Sequence, residues 1–295
     1  MKLPQSTAKR LYELMSHAPM SQQEVEALAR ELLSAYDTGQ MIAVPPSARP
    51  GFHLNAAYEV EAILLHLREA AGHTAVGRKV GYANKAMWRA LKLDTLVWAH
   101  MYDDTVHLAP GNSATLTVAH PRSLKIEPEI VFGLKRLVTG DIPNAADPAA
   151  TLACVDWLAA GFEIIDCPYP DWKFQPCDFV ASFGLHKALV LGEKILVQQD
   201  LIAKLVDELA KFKVRMSKNG KFVEEGSGRN SLKNPALCLA ELGAAIAKRF
   251  PSYPLSAGEI ISSGTLTAGH PTSAGDLWTA DFEGISLPSV TLRLA

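Results

Sequence analysis

The stretch Leu124–Leu134, LKIEPEIVFGL, alternates apolar and polar residues and therefore predicts a β-strand with two different faces. The apolar face comprises Leu124, Ile126, Ile130, Phe132 and Leu134. Lys125, Glu127 and Glu129 lie on the opposite face, with the two carboxylates roughly 7 Å apart along the strand. Like charges this close destabilise a strand face unless water or a cation neutralises them. The pattern leaves two interpretations open, a solvated polar face or two ligands of a divalent cation.

A third carboxylate could complete such a cation site. In the segment GFEIIDCPYPDW, Glu163 lies on a predicted strand between Phe162 and Ile164, so its side chain points away from theirs. A lone glutamate in a short strand is usually exposed or ion-paired. Together with Glu127 and Glu129, however, Glu163 would supply the third oxygen ligand that Mg²⁺ or Mn²⁺ commonly binds.

The composition is that of an ordinary globular chain. It has 295 residues, 48% of them hydrophobic, and its net charge is −2, so nothing favours bulk attraction to nucleic acid or to an anionic membrane. No apolar run approaches the roughly 20 residues that span a bilayer, and the amino end lacks the apolar core of a signal peptide. The four cysteines show no CxxC spacing. We therefore expect reduced thiols and a cytoplasmic location.

Patterning predicts an α+β protein with a helical amino-terminal region, residues 1–73, and a mostly antiparallel β domain, residues 74–295. Predicted helices cover Thr7–Met15, Ser21–Ala35, Asn55–Ala71, Pro148–Ala159 and Pro235–Phe250. Predicted strands cover Ala75–Tyr82, Thr95–Tyr102, Ala114–Val118, Leu124–Phe132, Phe162–Ile165, Leu189–Leu191, Glu259–Ser262, Leu277–Phe282 and Ser289–Leu294. The dipeptide Asn219-Gly220 between apolar-alternating runs predicts a hairpin with a tight primed turn.

Three further segments carry polar residues of interest. Lys79 lies in a glycine-punctuated strand and either extends to the surface or is held in a cleft by a carboxylate. Asp103 and Asp104 follow an apolar strand, where they cap a turn or supply a general base. The run SSGTLTAGHP, Ser262–Pro271, is an ordinary loop or one that grips a carboxylate through N–H and hydroxyl groups. No GxSxG, HExxH or phosphate-binding glycine motif is present.

In this order, the segments GRKVGYANK, MYDD, IEPEIVFGL, FEIIDCPYPDW, SSGTLTAG and AGDLWTADF resemble those of the 2-keto-4-pentenoate hydratase and 4-oxalocrotonate decarboxylase group of the fumarylacetoacetate hydrolase superfamily. The resemblance runs from about Leu54 to the end of the chain. It implies a β-roll or barrel-like core and a Mg²⁺ or Mn²⁺ ion. The implied site residues are Glu127, Glu129 and Glu163 as metal ligands, Lys79, Asp103 and Asp104 as catalytic groups, and Gly264, Thr265 and Thr267 as substrate-binding residues.

The chain departs from the family pattern in two places. Gly81-Tyr82-Ala83-Asn84 stands where the family commonly has G-L-T-S. Ser182–His186, SFGLH, stands where hydratases commonly have a D-N-A-S-like stretch, so larger groups replace small polar ones near the expected pocket. Substrate choice is therefore expected to depend on these segments.

The resemblance implies a hydratase that adds water to a 2-hydroxy-dienoate or 2-oxo-enoate in the catabolism of aromatic compounds. Three alternatives stay open: a 2-oxo-enedioate decarboxylase, a carbon–carbon hydrolase of the same superfamily, and a non-catalytic partner subunit. The implied partners are a small 2-oxo acid and other subunits, in a homo-oligomer or in association with a related decarboxylase or hydratase. Carboxylates gathered without a cation would cost stability, which argues against the non-catalytic role.

Overall fold

The computed structural model describes residues 19–136, 138, 147–251 and 253–295. Within them the helices are α1 (Gln22–Thr38), α2 (Leu54–Ala70), α3 (Lys85–Leu91), α4 (Pro148–Leu152), α5 (Pro176–Ala181), α6 (Ile202–Lys211) and α7 (Pro235–Arg249). Each is too short or too polar to traverse a lipid bilayer. The helix predicted at Thr7–Met15 lies outside the described residues.

The amino-terminal helices begin where the sequence predicts. Ser21 and Glu24 form a capping box at the start of α1, and Gly39 ends the helix with a φ of 72°. The buried stripe of α1 consists of Val25, Leu28, Ala29, Leu32 and Ala35. Helix α2 packs against both α1 and α5, which fixes the helical region to the β core.

The β-strands form two sheets. They are β1 (Ala75–Gly81), β2 (Val97–Tyr102), β3 (Val106–Leu108), β4 (Ser113–Leu116), β5 (Leu124–Leu134), β6 (Val155–Asp166), β7 (His186–Leu191), β8 (Ile195–Leu196), β9 (Lys213–Lys218), β10 (Lys221–Ser227), β11 (Ile260–Ser262), β12 (His270–Pro271), β13 (Leu277–Glu283) and β14 (Val290–Leu294). The larger sheet has the order β2-β1-β11-β5-β6-β7-β3, with β12 on β5 and β8 on β6. The smaller has the order β10-β9-β13-β14-β4.

Most strand pairs are antiparallel, as predicted, but β1 with β11, β3 with β7 and β4 with β14 are parallel. The predicted α+β fold is confirmed. The predicted hairpin is also present, because Asn219 and Gly220 both adopt left-handed φ values, 52° and 76°, in the turn between β9 and β10.

One helix prediction was too long. The helix predicted over Pro148–Ala159 ends at Leu152, and Val155 already begins β6. Pairing of β6 with β5 continues to Val155, and this tertiary contact overrides the helical preference of Leu158, Ala159 and Ala160. The longer strand places Glu163 opposite Glu127 in the antiparallel register.

Candidate metal centre

Five neighbouring strands bring the polar residues of the site together. In the order of the sheet, β1 carries Lys79, β11 carries Ser262, β5 carries Glu127 and Glu129, β6 carries Glu163 and β7 begins with His186. The register sets Lys79 opposite Ser262 and Glu127 opposite Glu163. The site is therefore a row of side chains across the middle of the larger sheet.

The three glutamates converge, as the resemblance implies. Glu127, Glu129 and Glu163 each offer a carboxylate oxygen within 4.8 Å of the others. Glu129 and Glu163 are 1% and 0% exposed, whereas Glu127 is partly exposed and lines a pocket. A solvated acidic strand face, the other interpretation of the sequence, is therefore wrong.

Each carboxylate has its own set of neighbours. Glu129 accepts hydrogen bonds at Oε2 from the Ser262 hydroxyl and from the Gly264 N–H, the latter at 3.0 Å. Glu163 Oε1 lies 2.8 Å from His186 Nδ1, and its Oε2 lies 3.1 Å from Lys79 Nζ. This Oε2 is a buried oxygen without a hydrogen-bond partner among the described residues.

Burial and mutual repulsion decide the protonation of the cluster. Burial raises the pKa of Glu127 to about 7. Burial, and then the charge of Glu163, raise the pKa of Glu129 well above its usual range. Burial would raise the pKa of Glu163 too, but the Lys79 charge and the His186 hydrogen bond together lower it. Burial alone would lower the pKa of Lys79, whereas the surrounding carboxylates raise it.

The donor set fits a hard divalent cation. With all three carboxylates ionised, as cation ligands are, the cluster and the Lys79 ammonium together carry two negative charges, which a divalent cation would cancel. All three side chains offer oxygen, the ligand type that Mg²⁺ and Mn²⁺ prefer. Oε2 of Glu163 is ion-paired with Lys79 but makes no hydrogen bond among the described residues, so it is an oxygen that such an ion would satisfy.

A pocket of about 510 Å³ opens beside the glutamates, within the usual range for a small-molecule site. Its polar lining includes Lys79, Asn84, Lys125, Glu127, Asn230, Thr265 and Thr267. Its apolar lining includes Tyr82, Met87, Ile165, Trp172, Phe174, Phe179 and Leu185. Tyr82, Trp172 and Leu185 have φ values of 56–58°, so the wall contains backbone conformations that non-glycine residues seldom adopt.

The loop after β11 forms one wall of this pocket. Gly264, Thr265 and Thr267 line it, as does Gly269, where a Cβ would lie 2.8 Å from Glu127 Oε1. The Thr265 hydroxyl donates to the Thr267 carbonyl, and the Gly264 N–H donates to Glu129. The loop thus holds a carboxylate of the protein itself, while the predicted contact with substrate stays a prediction.

Asp103 and Asp104 lie apart from the pocket lining. They occupy the turn between β2 and β3, where Asp104 accepts from Arg68 Nη2 at 2.6 and 2.7 Å. Asp103 accepts from the Thr74 N–H at 3.1 Å, and both carboxylates lie near His73. These contacts match the turn-capping interpretation of the sequence, and a catalytic role for the pair stays a prediction.

Two residues of the site were not predicted from the sequence. His186 and Ser262 lie in segments that the sequence singles out, but a contact with a glutamate was predicted for neither. His270, in the loop for which an ordinary and a carboxylate-binding interpretation were both open, lies with its Nε2 2.6 Å from Glu224 Oε2. Of the segment that departs from the family pattern, Leu185 lines the pocket and Gly184 packs on Lys79, where a Cβ would lie 2.8 Å from Cδ.

Comparison with known proteins places this site in context. No protein-family model matches the chain. The 2-hydroxyhexa-2,4-dienoate hydratase of Comamonas testosteroni is 28% identical over 91% of this chain and 97% of its own. Other relatives are named 2-keto-4-pentenoate hydratase and 4-oxalocrotonate decarboxylase.

Solved structures share the fold. The 4-oxalocrotonate decarboxylase of Pseudomonas putida G7, in complex with magnesium and adipate, superposes with a TM-score of 0.82 at 26% identity, covering 94% of this chain and 99% of its own. A yeast protein described as a fumarylacetoacetate hydrolase family member has a TM-score of 0.51 at 12% identity, over 74% of this chain and 91% of its own, which shows the fold alone.

The fold is the one found in a fumarylacetoacetate hydrolase family structure, and it brings the three carboxylates together in one row. The predicted resemblance to the 2-keto-4-pentenoate hydratase and 4-oxalocrotonate decarboxylase group is confirmed. The relatives are hydratases and decarboxylases, which confirms the prediction of a lyase-type enzyme.

Proposed function

We propose that the protein is a hydratase dependent on a divalent cation, Mg²⁺ or Mn²⁺, that adds water to a 2-hydroxy-dienoate or its 2-oxo-enoate form. The observation that carries this proposal is the convergence of three carboxylates with Lys79 beside a pocket of about 510 Å³. The names of the hydratase relatives support the reaction type.

In this proposal Glu127, Glu129 and Glu163 hold the cation. When bound, a divalent cation supplies a Lewis acid that polarises the carboxylate and 2-oxo oxygens of such an acid. Ser262 and Gly264 fix the carboxylate of Glu129 by hydrogen bonds, so this ligand is oriented before binding. Tyr82 and Phe179 line the pocket and offer apolar surface against which the carbon chain of the substrate would pack.

Lys79 is the proton donor of the proposed mechanism. Its Nζ lies 3.1 Å from Glu163 Oε2 and 4.6 Å from the centroid of the Phe179 ring. Its pKa is raised, so Lys79 is an ammonium at neutral pH. In the proposed conversion of a dienol acid to its oxo form, this ammonium would give a proton to the carbon chain, and the amine left behind would take up the proton lost from the 2-hydroxyl group. Asp103 and Asp104 stay predicted proton-transfer groups.

A decarboxylase acting on a 2-oxo-enedioate is the second candidate, because the side chain of Lys125 brings a further positive charge to the pocket lining. Lys125 Nζ lies 3.9 Å from the centroid of the Trp172 ring, and among the described residues no carboxylate lies within 4.0 Å of it. Such an ammonium suits the second carboxylate of an enedioate. The similar decarboxylase structure contains adipate, which is also a dicarboxylate.

One experiment separates the candidates. Purified protein with Mg²⁺ is incubated with 2-hydroxy-dienoates and with 2-oxo-enedioates, while the ultraviolet absorbance of the conjugated acid and the release of CO₂ are followed. The hydratase predicts loss of absorbance from dienoates without CO₂, whereas the decarboxylase predicts CO₂ from enedioates only. No change with either class, together with no Mg²⁺ binding in calorimetry, would favour the non-catalytic partner subunit and contradict both.

The subunit partners of the chain also stay a prediction. The sequence favours a homo-oligomer or an association with a related decarboxylase or hydratase. Light scattering of the purified chain alone measures whether it forms a homo-oligomer. The same measurement on a mixture with such a relative shows whether the two proteins associate.

A further inference from the structure

His186 and Glu163 form a buried pair on neighbouring strands. His186 begins β7, and its Nδ1 lies 2.8 Å from Oε1 of Glu163 in β6. The two side chains are 2% and 0% exposed. The other ring nitrogen, Nε2, lies 3.1 Å from Thr105 Oγ1. Both nitrogens of the imidazole are therefore held, so the ring has one orientation.

Glu163 and Thr105 hold the two nitrogens of this ring. A carboxylate oxygen accepts, so the 2.8 Å contact with Glu163 Oε1 places a hydrogen on His186 Nδ1. The Thr105 hydroxyl donates to the Tyr102 carbonyl at 2.9 Å, and its oxygen lies 3.1 Å from His186 Nε2. Thr105 therefore holds the edge of the ring opposite Glu163.

The consequence for Glu163 is a fixed carboxylate plane. With Oε1 held by the Nδ1 hydrogen, Oε2 is left as a buried oxygen that faces Lys79 and has no hydrogen-bond partner among the described residues. A histidine that donates to one oxygen of a ligating carboxylate orients the other oxygen.

We infer that His186 is a positioning residue, which orients Glu163 as a ligand of the divalent cation while Thr105 holds the imidazole ring in place. This inference rests on the proposed function, since it assumes that the three glutamates bind a cation. It adds β7 and the turn residue Thr105 to the structure that supports the site, although neither contacts the expected ion.

The test is a calorimetric titration of Mg²⁺ alone into the full-length protein. His186→Leu, which removes the donor, is expected to weaken Mg²⁺ affinity about 10- to 100-fold. His186→Asn, whose amide N–H takes the place of the Nδ1 hydrogen, is expected to recover most of that loss. Thr105→Val keeps the ring but removes the hydroxyl, and its affinity is expected to lie between those of the wild type and His186→Leu.

His100→Leu is the matched control, because His100 Nδ1 lies 2.5 Å from Glu61 Oε1 in a second buried histidine–glutamate pair. It is expected to lower stability in urea as His186→Leu does, with wild-type Mg²⁺ affinity. Equal affinity of the wild type and His186→Leu, or equal losses of affinity in His186→Leu and His100→Leu, would overturn the inference.

Two further outcomes are decisive. If His186→Leu does not fold, wild-type affinity in Thr105→Val would overturn the inference. Absence of Mg²⁺ binding by the wild type would instead overturn the proposed function on which it rests.

Discussion

Lys79 is the residue whose environment most restricts its chemistry. It is an ammonium 2% exposed, beside Glu163 and close to two further carboxylates. A buried cation among acids contributes in two separable ways, as a proton donor to a substrate and as a charge that offsets the glutamates. Only the second contribution affects metal binding, so turnover and Mg²⁺ affinity measured in one variant distinguish them.

Lys79→Met is expected to lower turnover by about 10²- to 10⁴-fold, the usual contribution of a general acid. Mg²⁺ affinity is expected to be unchanged or higher, because the substitution removes a positive charge from beside the carboxylates. Ultraviolet assays and calorimetry measure the two quantities, with the exposed Lys135→Met as control. Wild-type turnover would remove Lys79 from the mechanism, whereas a parallel loss of Mg²⁺ affinity would show that Lys79 acts by holding Glu163.

At the level of single residues, the sequence predicts the part of the site that follows a local pattern. The spacing of Glu127 and Glu129 places both side chains on one face of the strand. The apolar neighbours of Glu163 likewise indicate that its side chain lies on the polar face of its own strand. The contacts of His186 and Ser262 depend on the order of the strands in the sheet. The alternation of apolar and polar residues along a strand does not encode that order. The departure of Ser182–His186 from the family pattern was the one local signal that pointed to His186.

Among the elements, the loop after β11 joins the predicted metal ligands to the pocket wall. Gly264 has a φ of 91°, and a Cβ there would lie 2.8 Å from Ala83 Cβ. Its N–H also donates to Glu129, so a shift of the loop would move a predicted ligand. Gly275 offers a comparison, since it has a φ of 90° with nothing within 4 Å of an added Cβ.

Gly264→Ala is expected to destabilise the protein by about 1–3 kcal/mol through backbone strain and crowding against Ala83. Gly275→Ala introduces the same backbone strain without the crowding and is expected to lower the unfolding free energy by less. Urea unfolding measures both, and Mg²⁺ titration is expected to show a loss of affinity in Gly264→Ala alone. Equal unfolding free energies and equal affinities in the two variants would contradict the role given to this loop.

A second element, the hairpin β9–β10, is held to β13 by an acid-sensitive ion pair. Lys218 Nζ lies 2.7 Å from Asp276 Oδ2, which also accepts the Ser273 N–H at 2.9 Å. Burial would raise the pKa of Asp276, but the Lys218 and Ser273 hydrogen bonds lower it below its usual value of 3.8. The stabilisation by this carboxylate is therefore present above pH 3.8 and is lost as the pH falls through the lower, folded-state pKa.

Asp276→Asn is expected to cost about 1–3 kcal/mol of unfolding free energy at pH 7. The difference from the wild type is expected to shrink as the pH falls below 3.8, where the wild-type carboxylate also becomes protonated. Urea unfolding at pH 7 and near pH 3 measures this. Asp207→Asn, in an exposed pair with Lys211, is the control and is expected to change stability by less than about 0.5 kcal/mol. A pH-independent cost in Asp276→Asn would contradict the ion pair.

Element types followed from the sequence where local periodicity and tertiary pairing agree. Helix α1, with its capping box, and strand β5, with its two faces, are examples. Prediction was wrong at β6, because the helix-favouring residues Leu158–Ala160 pair with β5. Helices α3, α5 and α6 were not predicted. The seven residues of α3 and the six of α5 hold too few turns for a periodic signal, whereas the ten-residue α6 was missed.

At the scale of the whole molecule, the candidate cation would link parts of the chain that are distant in sequence. Glu127 and Glu129 come from β5, Glu163 from β6, and Ser262 of β11 holds Glu129. These strands occupy the centre of the larger sheet. An ion bound there contacts only the folded chain, because the unfolded chain does not bring the three carboxylates together. Binding should therefore stabilise the entire β core rather than one loop.

Mg²⁺ at about 100 times its dissociation constant is expected to raise the unfolding free energy by about 2.7 kcal/mol, and EDTA to reverse this. For a chain of 295 residues that corresponds to a rise in Tm of about 4 °C. Glu127→Gln is expected to fold and to lose both the thermal shift and metal-dependent turnover, because it removes one ligand from the pocket side of the cluster. Scanning calorimetry of both proteins, with and without Mg²⁺, measures the shift. An equal rise in Tm in the two proteins would place the stabilising ion away from Glu127, and full wild-type activity in EDTA would contradict the metal-dependent reaction.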